Sequence, residues 1–454
     1  MSAQQQPQLK HGLSNRHIQL IALGGSIGTG LFLGISQTIK LAGPSVILGY
    51  ALAGLIAFFM MRQLGEMVVE EPVSGSFSYF AYKFWSPFAG FMSGWNCWVL
   101  NVLVCMAELS AIGLYVQYWW PEIPTWISAL GFFVLINAIN LLHAKVFGET
   151  EFLFSMIKIL AIIGMIGYGA WLLASGHGGA HASISNLWAR GGFFPNGISG
   201  LIMAMAIIMF SFGGIELVGI AAAETKNPTT TIPKAVNQIV YRVLLFYVLT
   251  IIVLLSLFPW NQIAEGGSPF VLIFDSLGSQ GVATVLNFVV LTAAISVYNG
   301  TSYGTSRMLL GLAEQGNAPQ FLKKINQRGI PYAAILCSAL VTLLCVVLNY
   351  IFPEKALKLL MSLVVSAIVI NWMMLALTHL KFKQRMLALQ KSTLFPTLIY
   401  PISNYICIVF MLGILVVMWL TPDMRIAVML IPLWIGCLTL TYWFKQRSKT
   451  QKIQ

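Results

Sequence analysis

The sequence contains little charge. Asp, Glu, Lys and Arg make up 9% of its 454 residues and hydrophobic residues make up 58%, whereas soluble domains carry roughly a quarter charged residues. A chain with so little polar surface must be surrounded by lipid. The sequence also lacks the alternating segments of about ten residues that build a membrane β-barrel. Its apolar runs instead reach the roughly 20 residues that a helix needs to cross a bilayer. These features predict an all-α membrane protein.

Cysteine is scarce as well, and the six cysteines fall inside the apolar runs. They form no CxxC pair and no cluster with histidine, so we expect no disulfide framework, no metal and no cofactor. The zinc-protease motif HExxH and the phosphate-binding loop of nucleotide-driven pumps are missing. A repeated ion-filter sequence is missing too. These absences argue against an enzyme, a primary pump and a channel, and they favour a secondary transporter.

The apolar runs predict about twelve membrane spans joined by short loops. We place spans 1–12 near residues 18–41, 45–69, 88–118, 126–144, 151–175, 199–223, 239–260, 281–311, 332–352, 356–380, 398–420 and 426–444. Spans 1–10 divide into two units of five, residues 18–175 and 199–380. Because each unit has an odd number of spans, the second unit must enter the membrane from the opposite side. We therefore expect one transmembrane domain, 18–444, with an inverted repeat, and polar tails at 1–17 and 445–454.

The formal net charge of +12 is distributed unevenly across these loops. With the N-terminus placed in the cytoplasm, 21 of the 26 Lys and Arg residues lie at or near the inner side. The outer side keeps Lys40, Arg190, Lys355, Lys358 and Arg425. Basic residues accumulate in cytoplasmic loops, so we expect both termini inside. The asymmetry explains the basic character without a nucleic acid partner.

Glycine interrupts two spans at matching places in the two repeats. Span 1 contains the stretch GGSIGTG at 24–30, and span 6 contains FSFGGIE at 210–216. Each helical glycine costs about 1 kcal/mol relative to alanine, so both stretches favour unwound backbone and spans 1 and 6 are expected to be discontinuous. Such paired interruptions indicate a transporter's binding site. Close packing of helices through small residues is the alternative explanation.

Unwound backbone inside a membrane offers ligand-binding groups. The free N–H groups at the start of the following half-helix suit a carboxylate, and the carbonyl groups at the end of the preceding half-helix suit an ammonium group. The two breaks therefore match the zwitterion of an α-amino acid.

Ionisable side chains in the middle of a span are costly and are candidates for function. Glu108 lies about ten residues from the outer end of span 3, roughly 15 Å deep. Desolvation disfavours its charged form, so it could take up a proton outside and release it inside; a structural carboxyl group is the alternative. Glu216 follows the second break, and we expect it to support the freed backbone of span 6.

Six segments of the chain resemble the amino acid–polyamine–organocation superfamily. They are Gly24–Gly34, Arg62–Gly75, Phe210–Glu216, Glu224–Lys234, Ser306–Pro319 and Arg328–Pro331. Within that superfamily the chain is most similar to the bacterial general aromatic amino acid and phenylalanine permeases. The resemblance implies twelve spans, the leucine-transporter fold in spans 1–10, a bacterial inner-membrane location and proton-coupled uptake.

The resemblance also implies roles for individual residues. It identifies Glu108 as a coupling residue and places the Lys158 ammonium where sodium sits in sodium-coupled relatives, although Lys158 could instead extend toward the inner interface. Phe210 matches an aromatic residue that closes over substrate. The expected substrate-binding residues are Ser26, Ile27, Gly28, Thr29, Gly30, Phe210, Ser211, Phe212, Gly213, Gly214, Tyr298 and Tyr303.

We therefore expect symport of a proton with phenylalanine, tyrosine or tryptophan across the lipid bilayer. Aromatic rings beside glycine would leave room for a bulky neutral side chain. The alternatives are a permease for another neutral amino acid, for γ-aminobutyrate, or for a cationic amino acid held by Glu108.

Overall fold

The computed structural model describes residues 27–73, 76–141, 144–179, 181–216, 219, 227–263, 268–276, 278 and 280–451. Regular structure in these ranges is helical throughout. Nine helices there are long and apolar enough to cross a membrane, and the shorter apolar helices Thr125–Asn140 and Gly197–Phe210 stand in the places of spans 4 and 6. The first of the nine, Gly34–Glu70, covers parts of both span 1 and span 2, so the nine long helices and the two shorter ones correspond to the twelve predicted spans. This arrangement confirms the predicted all-α membrane fold.

The helices follow the predicted order. Spans 1–5 are Thr29–Phe32 with Gly34–Ala42, then Val46–Glu70, Pro87–Gln117, Thr125–Asn140 and Ala144–Ser175. Spans 6–10 are Gly197–Phe210, Pro228–Leu257, Gln280–Glu314, Tyr332–Ile351 and Ala356–Ala388. Spans 11 and 12 are Ile402–Leu420 and Pro422–Gln451.

Several elements differ from the bounds predicted from hydropathy. Spans 5 and 10 extend beyond their predicted ends, and the helix of span 12 continues to Gln451, through most of the predicted tail 445–454. Span 7 begins at Pro228, eleven residues before the expected start at 239, because Asn227 and Pro228 start an amphipathic helix that the apolar run then continues. A short helix, Ser76–Phe84, lies between spans 2 and 3. Its Lys83 ammonium pairs with Glu71 at the end of span 2. Span 3 packs against this short helix, span 8 and span 10, and so lies at the centre of the protein.

A buried polar cluster ties the C-terminal ends of spans 2 and 10 to the loop before span 11. The Glu66 carboxylate, fully buried, accepts hydrogen bonds from His379 at 2.9 Å, Lys383 at 2.7 Å and the backbone N–H of Thr397 at 2.8 Å. A buried charge is tolerated when its oxygens are fully paired. The cluster therefore fixes this end of the helical bundle.

Candidate functional site

Helical structure starts inside the first glycine-rich stretch and ends inside the second. Ile27 and Gly28 are not helical, Gly28 has extended backbone, and the helix of span 1 begins at Thr29. The helix of span 6 ends at Phe210 and the chain continues in turns through Glu216. Ser26 lies outside the described residues. In the described residues, the helix of span 1 thus begins, and the helix of span 6 ends, inside the two stretches that the sequence predicted to be unwound.

The two interruptions touch each other. A Cβ atom added to Gly30 would lie 2.5 Å from the Ser211 Cα atom and 2.9 Å from its backbone nitrogen. Because a backbone cannot move aside as a flexible side chain can, only glycine allows this approach. The contact brings the start of one half-helix beside the end of the other.

A small cavity lies at this contact. Four spans line it, with Gly28 and Gly30 from span 1, Val104 and Glu108 from span 3, Phe210, Ser211 and Gly213 from span 6, and Val297 from span 8. Its volume is about 10 Å³, which is room for about one water molecule. Five of the twelve residues predicted to bind substrate line this cavity, namely Gly28, Gly30, Phe210, Ser211 and Gly213. The cavity is smaller than the roomy pocket that the sequence suggested.

The freed backbone of span 6 has specific partners. Gly214 has a φ of +94°, a conformation that favours glycine, and its N–H donates to Glu216 Oε2 at 3.1 Å. The Ser211 carbonyl group accepts a hydrogen bond from the Tyr247 hydroxyl at 2.9 Å. The other Glu216 oxygen, Oε1, is buried with no partner among the described residues. Glu216 contacts the unwound segment as a supporting residue would.

Glu108 is buried and bonds to the start of the span 1 helix. Its Oε2 atom accepts a hydrogen bond from the Thr29 hydroxyl at 2.5 Å, and its Oε1 atom lies 3.4 Å from the Thr29 backbone nitrogen. The first N–H groups of a helix have no partner within the helix, so the carboxylate takes a position that favours negative charge.

Lys158 is also fully buried and does not reach toward an interface. Its Nζ atom donates to the Ile27 carbonyl group at 3.4 Å and to the Ser296 hydroxyl at 2.9 Å. The Ser296 hydroxyl in turn donates to Glu151 Oε1 at 2.6 Å. The ammonium group therefore connects the break in span 1 with spans 5 and 8.

The two phenylalanines of the second break face different surroundings. Phe210 lines the cavity. Phe212 stacks on Tyr247 with ring centroids 5.3 Å apart and packs against Tyr50 at 6.3 Å. The Tyr50 hydroxyl lies 3.2 Å from the Ser211 hydroxyl. Phe212 thus belongs to an aromatic cluster with spans 2 and 7 behind the break.

The tyrosines of span 8 lie away from this cavity. The Tyr298 hydroxyl accepts a hydrogen bond from Asn137 of span 4 at 2.7 Å, and the Tyr303 ring lies under the Arg307 guanidinium group at 3.2 Å. Val297 takes the lining position instead. Periodicity alone did not fix the rotation of span 8, because its apolar residues surround the helix on all sides.

Sequence reasoning missed several residues at the site. Val104, Val297 and Ser296 are ordinary residues in apolar helices and carried no signal. Glu151 precedes Lys158 by seven residues, a spacing that places both on one helical face. That spacing was a usable signal for a second buried charge.

A larger cavity lies one turn from the site along span 1. It has a volume of about 320 Å³ and is lined by residues of spans 1, 3 and 10 and of the loop before span 10, including Gly34, Gln37, Glu354 and Lys358. Gly34 is four residues from Gly30, about 6 Å along a helix. Among the described residues, no group of three or more His, Cys, Asp or Glu side chains is placed to hold a metal ion.

The described residues include helices in all twelve predicted spans, and the helix ends of spans 1 and 6 meet at a small central cavity. This arrangement is typical of membrane transporters with discontinuous helices. The family model for amino acid permeases matches residues 17–454. The chain belongs to the amino acid permease family, which confirms the resemblance inferred from the motifs.

Curated relatives match along almost the whole chain. The aromatic amino acid transport protein AroP of Escherichia coli strain K12 is 62% identical over 441 residues, covering 97% of this chain and 96% of the relative. AroP of Salmonella typhimurium strain LT2 is 60% identical over 452 residues, covering 99% of both chains. The uncharacterized amino acid permease YtnA of Bacillus subtilis is 41% identical over 444 residues, covering 97% of this chain and 96% of the relative. These relatives are transporters of bacteria, and the chain is a multi-pass inner-membrane protein.

Proposed function

We propose that this protein imports phenylalanine, tyrosine and tryptophan together with protons by alternating access. The aromatic substrate class is supported by 60–62% identity to proteins named aromatic amino acid transporters. Transport without chemical change of the substrate agrees with the absence of enzyme motifs in the sequence. Both termini and the tails 1–17 and 445–454 are assigned to the cytoplasm from the distribution of basic residues.

The substrate main chain binds the two interruptions. Its carboxylate meets the backbone N–H groups of residues 28–30, and its ammonium group meets carbonyl groups of residues 210–213. These are the groups that unwinding leaves without partners in the helix. A zwitterion provides hydrogen-bond partners for both the N–H groups and the carbonyl groups. Without such partners, unpaired backbone groups in the membrane interior are costly in free energy.

The aromatic side chain occupies space bordered by Val104, Phe210 and Val297. The present cavity of about 10 Å³ cannot hold a benzene ring. Substrate entry therefore requires Phe210 to rotate and spans 1 and 6 to move away from spans 3 and 8. The 320 Å³ cavity beside Gly34 provides the route from outside.

One observation supports proton coupling above the others. Two buried ionisable groups, Lys158 and Glu108, bind neighbouring residues of one interruption, since Lys158 donates to the Ile27 carbonyl group and Glu108 accepts from Thr29. A substrate carboxylate arriving between them approaches the Glu108 carboxylate. Two anions repel each other in a medium of low polarity, so protonation of Glu108 favours substrate binding, and its deprotonation favours release.

Purified protein in proteoliposomes tests the proposal. With an acidic exterior, vesicles should accumulate labelled phenylalanine above its equilibrium level, and unlabelled tyrosine and tryptophan should compete. Accumulation should vanish when a protonophore removes the pH gradient. Vesicles that exchange another amino acid but neither bind nor accumulate aromatic ones would contradict the substrate assignment.

A further inference from the structure

A continuous chain of buried hydrogen bonds runs from Lys158 to a second acid. Lys158 Nζ lies 2.9 Å from Ser296 Oγ, and Ser296 Oγ lies 2.6 Å from Glu151 Oε1. All three side chains are at most 1% exposed. Glu151 Oε2 is 3.5 Å from the Asn299 amide nitrogen, and the Asn299 oxygen accepts from Asn140 at 3.2 Å.

With Lys158 protonated and Glu151 ionised, the number of hydrogens on each group fixes the directions of these bonds. The single hydroxyl hydrogen of Ser296 points to the carboxylate, since an ionised carboxylate can only accept. The hydroxyl oxygen then accepts from the lysine ammonium group, which can only donate. Every bond in the chain therefore points from Lys158 toward Glu151.

We propose that Glu151 is the inner proton acceptor of the transport cycle and that the Ser296 hydroxyl carries the proton to it. In this step a Lys158 N–H bond breaks as an O–H bond forms on Ser296, and the original Ser296 O–H bond breaks as one forms on Glu151. The ion pair becomes a neutral amine and a neutral carboxylic acid, so atoms and charge balance. The relay rests on the proton coupling proposed above and describes the part of the path that leads from Lys158 toward the cytoplasm.

The position of Glu151 suits release. It precedes Lys158 by seven residues, about 10 Å along the helix, and lies three residues from Gly148, where the apolar part of span 5 begins. The amides of Asn299 and Asn140 have no titratable proton in the physiological range and end the chain. Glu151 is thus the titratable group of this network nearest the end of span 5 that we assign to the cytoplasm.

The relay also responds to substrate. Lys158 holds the Ile27 carbonyl group beside the first interruption, so movement of span 1 on binding changes the lysine's hydrogen bonds. Losing that carbonyl partner weakens the hold on the ammonium proton and favours its transfer toward Ser296. Span 1 thereby links substrate binding to proton transfer from Lys158 toward Ser296.

Three variants in proteoliposomes test the relay. Glu151→Gln keeps size and an acceptor oxygen but cannot be protonated, Ser296→Ala removes the bridging hydroxyl, and Ser296→Thr restores it. Glu122→Gln is the matched control, because the Glu122 carboxyl group is exposed in the loop before span 4. Two quantities are measured, namely phenylalanine accumulation driven by a pH gradient and phenylalanine counterflow without a gradient.

We expect Glu151→Gln and Ser296→Ala to lower the initial rate of gradient-driven accumulation at least about tenfold, because a positioned group speeds proton transfer by about 10²–10⁴-fold. Counterflow should stay near the wild-type rate, and Ser296→Thr and Glu122→Gln should behave like wild type.

Two results would overturn the relay in favour of a structural link between spans 5 and 8. One is a folded Glu151→Gln or Ser296→Ala variant that still couples transport to the pH gradient, and the other is a folded variant that loses counterflow as much as accumulation. If Glu151→Gln does not fold, Ser296→Ala and Ser296→Thr carry the same comparison. Wild-type vesicles that bind aromatic amino acids without proton coupling overturn the coupling proposal itself, and the relay with it.

Discussion

At the scale of single residues, two isolated charges in apolar helices carried most of the functional information. Glu108 and Lys158 stood out in the sequence because ionisable groups at mid-span are costly, and both contact the span 1 interruption. Ser296 and Glu151 did not stand out, because a serine is common in apolar helices and Glu151 lies near the end of its span. The spacing of Glu151 and Lys158 was a signal that both lie on one helical face, but the Ser296 hydroxyl that joins them is found only in the packed helices.

Replacing Glu108 by glutamine should separate coupling from binding. Glu108→Gln keeps an oxygen for the Thr29 hydroxyl but cannot gain or lose a proton, so exchange should persist while gradient-driven accumulation of phenylalanine is lost. The measurement compares counterflow with accumulation in the same vesicles. Unchanged accumulation would remove Glu108 from the coupling role.

At the scale of elements, the glycine stretches predicted where spans 1 and 6 lose helical structure. Hydropathy could not predict the helix Ser76–Phe84 or the early start of span 7 at Pro228, because both segments are amphipathic and contain charged residues. It also could not give the rotation of span 8, which places Val297 at the cavity and Tyr298 against span 4. Boundaries and rotations depend on neighbouring helices.

The contact between the two interruptions predicts the effect of a single methyl group. Gly30→Ala places a Cβ atom 2.5 Å from the Ser211 backbone, and such overpacking costs about 1–3 kcal/mol. We expect a lower Tm and the loss of most phenylalanine uptake. Gly167→Ala in span 5 is the control, since nothing lies within 4 Å of its added Cβ. Equal behaviour of the two variants would show that spans 1 and 6 are not in contact at Gly30.

At the scale of the whole molecule, composition and motifs were sufficient to predict the class, the fold and the family. The size of the site was not predictable, because it depends on how far the helical bundle has closed. The cavity of about 10 Å³ between Gly30 and Phe210 and the larger outer cavity beside Gly34 belong to one closed arrangement. The Glu66 cluster of spans 2 and 10 holds the opposite end of the bundle together.

The most direct test of the site is a structure determined with phenylalanine bound. We expect its carboxylate against the backbone nitrogens of residues 28–30, its ammonium group against carbonyl groups at 210–213, and its ring beside Phe210 in an enlarged cavity. Phenylalanine bound elsewhere, with residues 27–30 and 210–214 unchanged and still in contact, would contradict the proposal that the two interrupted helices form the binding site.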